Sequence, residues 1–93
     1  MTEPTSVLDR RLELAAQVSV RPERFGALLY HFGTRRLSFL KDPRLLAVVQ
    51  ALPDAGTPRA ACEQVGVEPG SLRAFEAALA RLLDTGMLQE VAA

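Results

Sequence analysis

The sequence predicts an α+β domain of winged helix-turn-helix-like build: a three-stranded antiparallel sheet followed by three helices. Three observations predict it. Residues 18–40 read as short extended runs joined by tight connections. Residues 42–85 carry cap-then-proline signals and apolar stripes of helical period. Gly66 sits in the turn of a pair of short helical runs that a longer one follows, which is the outline of a helix-turn-helix.

Taken in order, residues 1–11 read as a flexible N-terminal tail and 12–93 as a single domain. The first strand is expected at about 14–20, where Val18 and Val20 alternate with Gln17 and Ser19. Pro22, which has no N–H for a ladder, is expected to end it within Arg21-Pro22-Glu23-Arg24. The second strand, about 25–32, is nearly all apolar, as a central strand covered on both faces would be. Gly33-Thr34 reads as a two-residue hairpin turn. The third strand, about 35–40, alternates: Leu37 and Phe39 point one way, Arg36 and Ser38 the other, and Leu40 falls on the polar side. No later segment supplies a strand for its far edge, and an uncovered edge is either blunted or used to bind an extended peptide.

The helices follow. Asp42-Pro43 is a cap with proline at the first helical position, opening a helix over about 42–52 with Leu45, Val49 and Leu52 on one face. Thr57-Pro58 repeats the signal for a helix over about 57–65. The last helix, about 70–85, carries Leu72, Phe75, Leu79, Leu82 and Leu83 as its apolar stripe, read more simply as core than as binding surface. Gly86 is the expected stop, with Met87-Leu88 packing back on the first helix.

Composition narrows the function. A chain of 93 residues buries one core and leaves little room for a deep catalytic cavity. The net charge is zero, which favours neither nucleic acid nor an anionic membrane. The charge is unevenly placed: residues 1–50 carry eight Arg and Lys against five Asp and Glu, residues 51–93 three against six. Ten of the eleven basic residues are Arg, the side chain that pairs bidentately with carboxylates. A single cysteine, Cys62, excludes a disulfide framework or a cysteine-built metal site within the chain. With no signal-like N-terminus and no apolar run of membrane-spanning length, the expected setting is the cytoplasm.

Catalytic constellations are missing from the pattern. His31 is the sole histidine and reads as a strand-end residue near the surface, and Cys62 as a small half-buried residue of the second helix. There is no phosphate-binding glycine loop and no metal-spaced cluster, so no catalytic, cofactor or metal residue is assigned. A DNA-binding reading would use residues 69–85, but Arg73, Glu76, Arg81 and Asp84 cancel in charge there. Arg35-Arg36 fit two roles, guarding an edge strand against aggregation and pairing with acids of a peptide docked alongside.

The segments Val18 to Glu23, Phe25 to Phe32 (Phe-Gly-Ala-Leu-Leu-Tyr-His-Phe) and Arg35 to Leu40 (Arg-Arg-Leu-Ser-Phe-Leu) strongly resemble the peptide chaperone family of mycofactocin biosynthesis. The resemblance runs on more weakly through Gly66-Val67 and Ala78-Leu79 to Gly86-Met87-Leu88, and covers residues 12–89. The family pattern has His-Pro near the start of the first strand, where this chain has Ala15-Ala16, which leaves the start of that strand unfixed. The family is similar in turn to protein D of pyrroloquinoline quinone biosynthesis, a recognition element for ribosomally made, modified peptides.

The resemblance implies a protein that is not an enzyme and holds no cofactor. Its partners would be the leader of a ribosomal precursor peptide and a radical S-adenosylmethionine maturase with iron–sulfur clusters, which modifies the precursor's C-terminal Val-Tyr. Meeting the residue reading, it places the leader as a fourth strand antiparallel to 35–40, beside the last helix. The expected peptide-binding residues are Arg35, Arg36, Leu37, Ser38, Phe39 and Leu40 of the strand, with Leu72, Arg73, Phe75, Glu76 and Leu79 of the helix. The backbone of Arg36 to Leu40 would bond the leader, with the Ser38 N–H as the one a proline would probe. Two alternatives stay open: a winged-helix DNA-binding regulator, and a subunit that stabilises the maturase without affinity for the peptide. The oligomeric state is open as well, because strand edges can pair between copies or swap.

Overall fold

The computed structural model describes residues 6–91. Its order is β1 (Leu12–Leu14), β2 (Val18–Glu23), β3 (Gly26–His31), β4 (Leu37–Leu40), α1 (Pro43–Ala55), α2 (Pro58–Val65), α3 (Leu72–Asp84) and β5 (Leu88–Glu90). One-turn 3₁₀ segments at Val7–Asp9 and Pro69–Ser71 precede β1 and α3. β2, β3 and β4 form the three-stranded antiparallel sheet, and β1 pairs with β5 in a second, two-stranded one.

The first expected strand is therefore two. Ala16-Gln17 turn the chain between β1 and β2, and the Val18 N–H donates to the Ala15 carbonyl at 3.0 Å. β1 pairs with the chain's far end, Leu12 opposite Glu90 and Leu14 opposite Leu88. Pro22 does not end β2: the strand runs on to Glu23, and the tight connection is Arg24-Phe25. The second hairpin is longer than Gly33-Thr34. His31 donates to the Arg36 carbonyl at 2.9 Å and accepts from the Arg35 N–H at 2.7 Å, so two residues oppose one in a bulge. Arg35, at φ 61°, occupies the left-handed position that glycine usually fills there.

The caps form as the sequence indicates. The Asp42 carboxylate accepts from the Arg44 N–H at 2.9 Å, and the Thr57 hydroxyl from the Ala60 N–H at 3.3 Å. α1 outruns its expected end by one turn and takes in Pro53, placed where few helical bonds remain to be lost. α2 closes at Gly66, in the left-handed region with φ 88°.

The core lies between the inner face of the large sheet and the helices. Ala27, Leu29 and Leu40 come from the sheet, and Val48, Val49, Leu52, Cys62 and Leu79 from the helices. Leu12 and Leu88 of the small sheet, with Met87 just before it, close the core. The expected tail 1–11 is structured over its described part. Val7 and Leu8 are buried, Arg59 of α2 holds Asp9 at 2.7 Å, and the Ser6 hydroxyl donates to Glu76. Residues 1–5 lie outside the described residues.

Gly26 lets β3 and β4 approach closely at the end away from their hairpin. Its φ is 149°, and a Cβ built on it would overlap the Leu40 carbonyl oxygen, which is backbone and has little room to yield. Gly26→Ala is expected to cost about 2–4 kcal/mol of stability, read as a lowered urea midpoint at unchanged slope.

Candidate functional site

In an antiparallel strand the side chains alternate between the faces, and the polar backbone groups of successive residues alternate between the edges. The His31–Arg36 bond fixes the parity of β4. Ser38, opposite Leu29, and Leu40, opposite Ala27, turn their N–H and C=O groups toward β3 and their side chains toward the core. Leu37 and Phe39 turn theirs toward the free edge, and their side chains stand on the outer face, more than half exposed. The alternation expected for this strand is present, with the side read as polar packed inward. The residues offering bonds to an added strand are Leu37 and Phe39, and a proline at Ser38 would break the sheet instead.

The opposite edge of the sheet is blunted. By the same parity Ser19, Arg21 and Glu23 bond β3, so Val18, Val20 and Pro22 face outward. The Val18 N–H is taken by Ala15 and Pro22 has none to give. β4 therefore offers the more complete open edge of the two.

A groove runs beside that edge, between β4 and α3. One part, of about 370 Å³, is lined by Phe39, Lys41, Asp42, Leu45, Ala74, Phe75, Ala78 and Arg81. A second, of about 240 Å³, shares Phe39, Leu45, Ala78 and Arg81 with it and continues along Ser38, Leu40, Leu82 and Thr85. Ala74 and Ala78, one turn apart on α3, leave the space, and Leu45 and Phe75 give it an apolar floor.

The charges at its mouth are not equivalent. The carboxyl of Asp42 lies below its ordinary value, because the Arg44 guanidinium and then the Arg44 N–H both donate to it. Arg44 also reaches Glu68 at 3.4 Å and lies 5.3 Å from the centre of the Phe75 ring. The acid is thus engaged within the fold, whereas no acid pairs with Lys41 or Arg81 among the described residues. The open groove is apolar with a basic rim.

Of the residues singled out in the sequence, Ser38, Phe39, Leu40 and Phe75 line this groove. Leu37 adjoins it on the strand. Leu79 is fully buried in the core, and Leu72 is half-buried at the start of α3. Glu76 is held by Ser6, Arg73 is exposed away from the groove, and Arg35 and Arg36 belong to the hairpin beyond the strand. Lys41, Leu45, Ala74, Ala78 and Arg81 were not marked by sequence reasoning. The small pair Ala74 and Ala78, followed at the next turn by Arg81, is the signal that could have found them. His31 accepts through Nδ1 from the Gly33 and Thr34 N–H groups at 3.0 and 3.1 Å, which shapes the hairpin. Cys62 is fully buried and its thiol is raised by that burial, so it is a core residue.

This is a winged-helix-like scaffold with an open strand edge beside an apolar groove, a geometry that suits a binding module. Comparison with known proteins narrows the class. The chain belongs to the peptide chaperone MftB family, whose family model matches residues 11–89. It is 52% identical over 80 residues to proteins named peptide chaperone MftB from Mycobacterium ulcerans and Mycobacterium tuberculosis, spanning 86% of this chain and 73% of each relative. A protein of the same name from Mycolicibacterium smegmatis is 49% identical over 72 residues, 77% of this chain and 71% of that one. No solved structure matches. The family is one of peptide chaperones, not of enzymes.

Asp42 both caps α1 and borders the groove. Its folded-state pKa is lowered, so its contribution is complete above its ordinary value of 3.8 and is lost as pH falls through the folded value. Asp42→Ala is expected to cost about 1 kcal/mol at neutral pH, a cost that narrows as the pH is taken below 3.8, as read by urea unfolding at neutral and at acid pH.

Proposed function

We propose that this chain captures the leader of a ribosomal precursor peptide in mycofactocin biosynthesis and delivers it to a radical S-adenosylmethionine maturase. The leader adds as a fourth strand antiparallel to β4. The observation that carries the reading is the free edge of β4 at Leu37 and Phe39, opening directly on the groove between β4 and α3. Membership of the peptide chaperone family supports it. The radical chemistry, with its iron–sulfur clusters, belongs to the maturase, and the setting in this reading is the cytoplasm.

Two N–H and two C=O groups, those of Leu37 and Phe39, are available to the added strand, each bond worth about 0.5–1.5 kcal/mol net. Such bonds are indifferent to sequence. Selectivity falls to apolar leader side chains that enter between Phe39, Leu45 and Phe75, where each 100 Å² buried yields about 2.5 kcal/mol. Lys41 and Arg81 favour a leader that carries acidic residues beside its apolar ones. Holding the leader on a scaffold that also docks the maturase raises the local concentration of the modifiable tail.

Calorimetric titration with the full-length precursor and with a leader-truncated one tests the reading; binding is expected to the first and to be lost with the second. Within that assay Leu37→Pro is expected to bind more weakly than Leu37→Ala, by up to about tenfold for one lost N–H. Ala78→Phe, which fills the groove, is expected to weaken binding by more than about tenfold while the fold is retained. Full affinity in both Leu37→Pro and Ala78→Phe would remove the leader from β4 and its groove.

A further inference from the structure

The outer face of the large sheet is a second feature, which shares Phe39 with the groove. Phe25, Phe32, Leu37 and Phe39 are 44%, 61%, 55% and 59% exposed, and they are four of the five exposed large apolar residues described. Strand parity gathers them with Leu28 and Tyr30 on one side of β3 and β4. Phe25 lies 6.1 Å from Phe39 and Phe32 packs edge-on against Tyr30 at 5.1 Å, so the side chains form one continuous patch. Isolated exposed apolar residues need no explanation, but a joined aromatic patch marks a contact surface.

The rim of the patch identifies what covers it. Arg21 and Arg24 border it at the first hairpin and Arg35 at the second. Arg21 pairs with Glu23 at 3.2 Å, and no acid among the described residues pairs with Arg24 or Arg35. Every one of these cations is Arg, whose planar fork fits carboxylates. A second copy laid face to face would set these arginines against one another. An acidic, apolar protein surface would satisfy both the patch and its rim.

We propose that this face docks a folded protein that presents an apolar patch ringed by carboxylates, while the β4 groove holds a peptide. Resting on the function proposed above, that protein is the maturase. Its contact would then run along β4 itself, because Phe39 gives its ring to the outer patch and its N–H and C=O to the peptide edge. The partner and the captured strand meet at one residue.

The test uses the whole chain and a variant carrying Phe32→Asp and Arg24→Glu, both outside the peptide groove. Affinities for the precursor peptide and for the purified maturase are measured separately, the second at low and high salt. The expected result is a peptide affinity within about twofold of the parent, which also reports that the variant is folded, and a maturase affinity lowered by more than about tenfold. Affinity of the parent for the maturase is expected to fall with salt. Equal maturase binding by parent and variant would overturn this surface and leave the peptide reading standing. A parent that binds peptide but no maturase would overturn both this surface and the delivery step. Binding of the parent to vesicles of phosphatidylserine and phosphatidylcholine, lost in the variant, would overturn it in favour of a membrane. A parent dimer in sedimentation that the variant dissolves would overturn it in favour of a second copy.

Discussion

The burial of Leu40 is the constraint on which the site depends. At the end of β4 it is almost wholly enclosed and lies opposite Ala27, which is enclosed as well. A strand has a period of two, so one buried side chain assigns every neighbour. With Leu40 inside, Ser38 is inside, and both bond β3. Leu37 and Phe39 must then place their side chains on the outer face and their polar backbone groups at the free edge. One packing choice produces both the open edge and the aromatic patch. A slip of one residue would bury Leu37 and Phe39 and lose both together. Gly26 permits the close approach to the Leu40 carbonyl that keeps this register, and the His31–Arg36 bulge secures the other end.

The two edges of the sheet are treated differently, and the difference is physical. β2 spends its outward N–H at Val18 on a local turn and has none at Pro22. β4 keeps its outward groups for the groove side, between a half-buried serine and an enclosed leucine. An edge left open in a small protein invites association with any extended chain, and exposed charges are one defence. Arg35 and Arg36 stand exposed beside the start of β4, charges of the kind that discourages unwanted pairing at an edge.

Signals confined to a few residues were legible in the sequence. Asp42-Pro43, Thr57-Pro58 and Gly66 each act within four residues of themselves, and each forms the cap or stop its chemistry implies. The three strands of the large sheet, the outer two read from alternation and the central one from its apolar run, are present in that order. Pairings over long separations were not legible. Leu12–Leu14 looks like the lead-in to β2, but its partner is the three-residue β5 near the far end of the chain. Nothing local to Leu88-Gln89-Glu90 marks a strand. Pro22 misled because its missing N–H was taken as a break, whereas at an outward position of an edge strand it costs no bond. The tail reading failed at Val7 and Leu8 for a related reason: two apolar residues in a polar stretch give no period, and only the packed helices show where they go.

The groove was half legible because its parts carry different kinds of signal. An aromatic residue in a periodic stretch announces itself, and Phe39 and Phe75 are such residues. Empty space is made by residues that do little, and Ala74 and Ala78 look in sequence like ordinary helix formers. Their meaning appears when α3 stands beside an edge that lacks a strand. Filling that gap with an extended chain would pair the free groups of Leu37 and Phe39 and cover Leu45 and Phe75 in a single step. The core closes elsewhere, through Leu12 and Leu88 of the small sheet and Met87 beside it, and needs no residue from an added strand. With the core closed away from the groove, an extended chain that paired with this edge would enter and leave without unfolding its host.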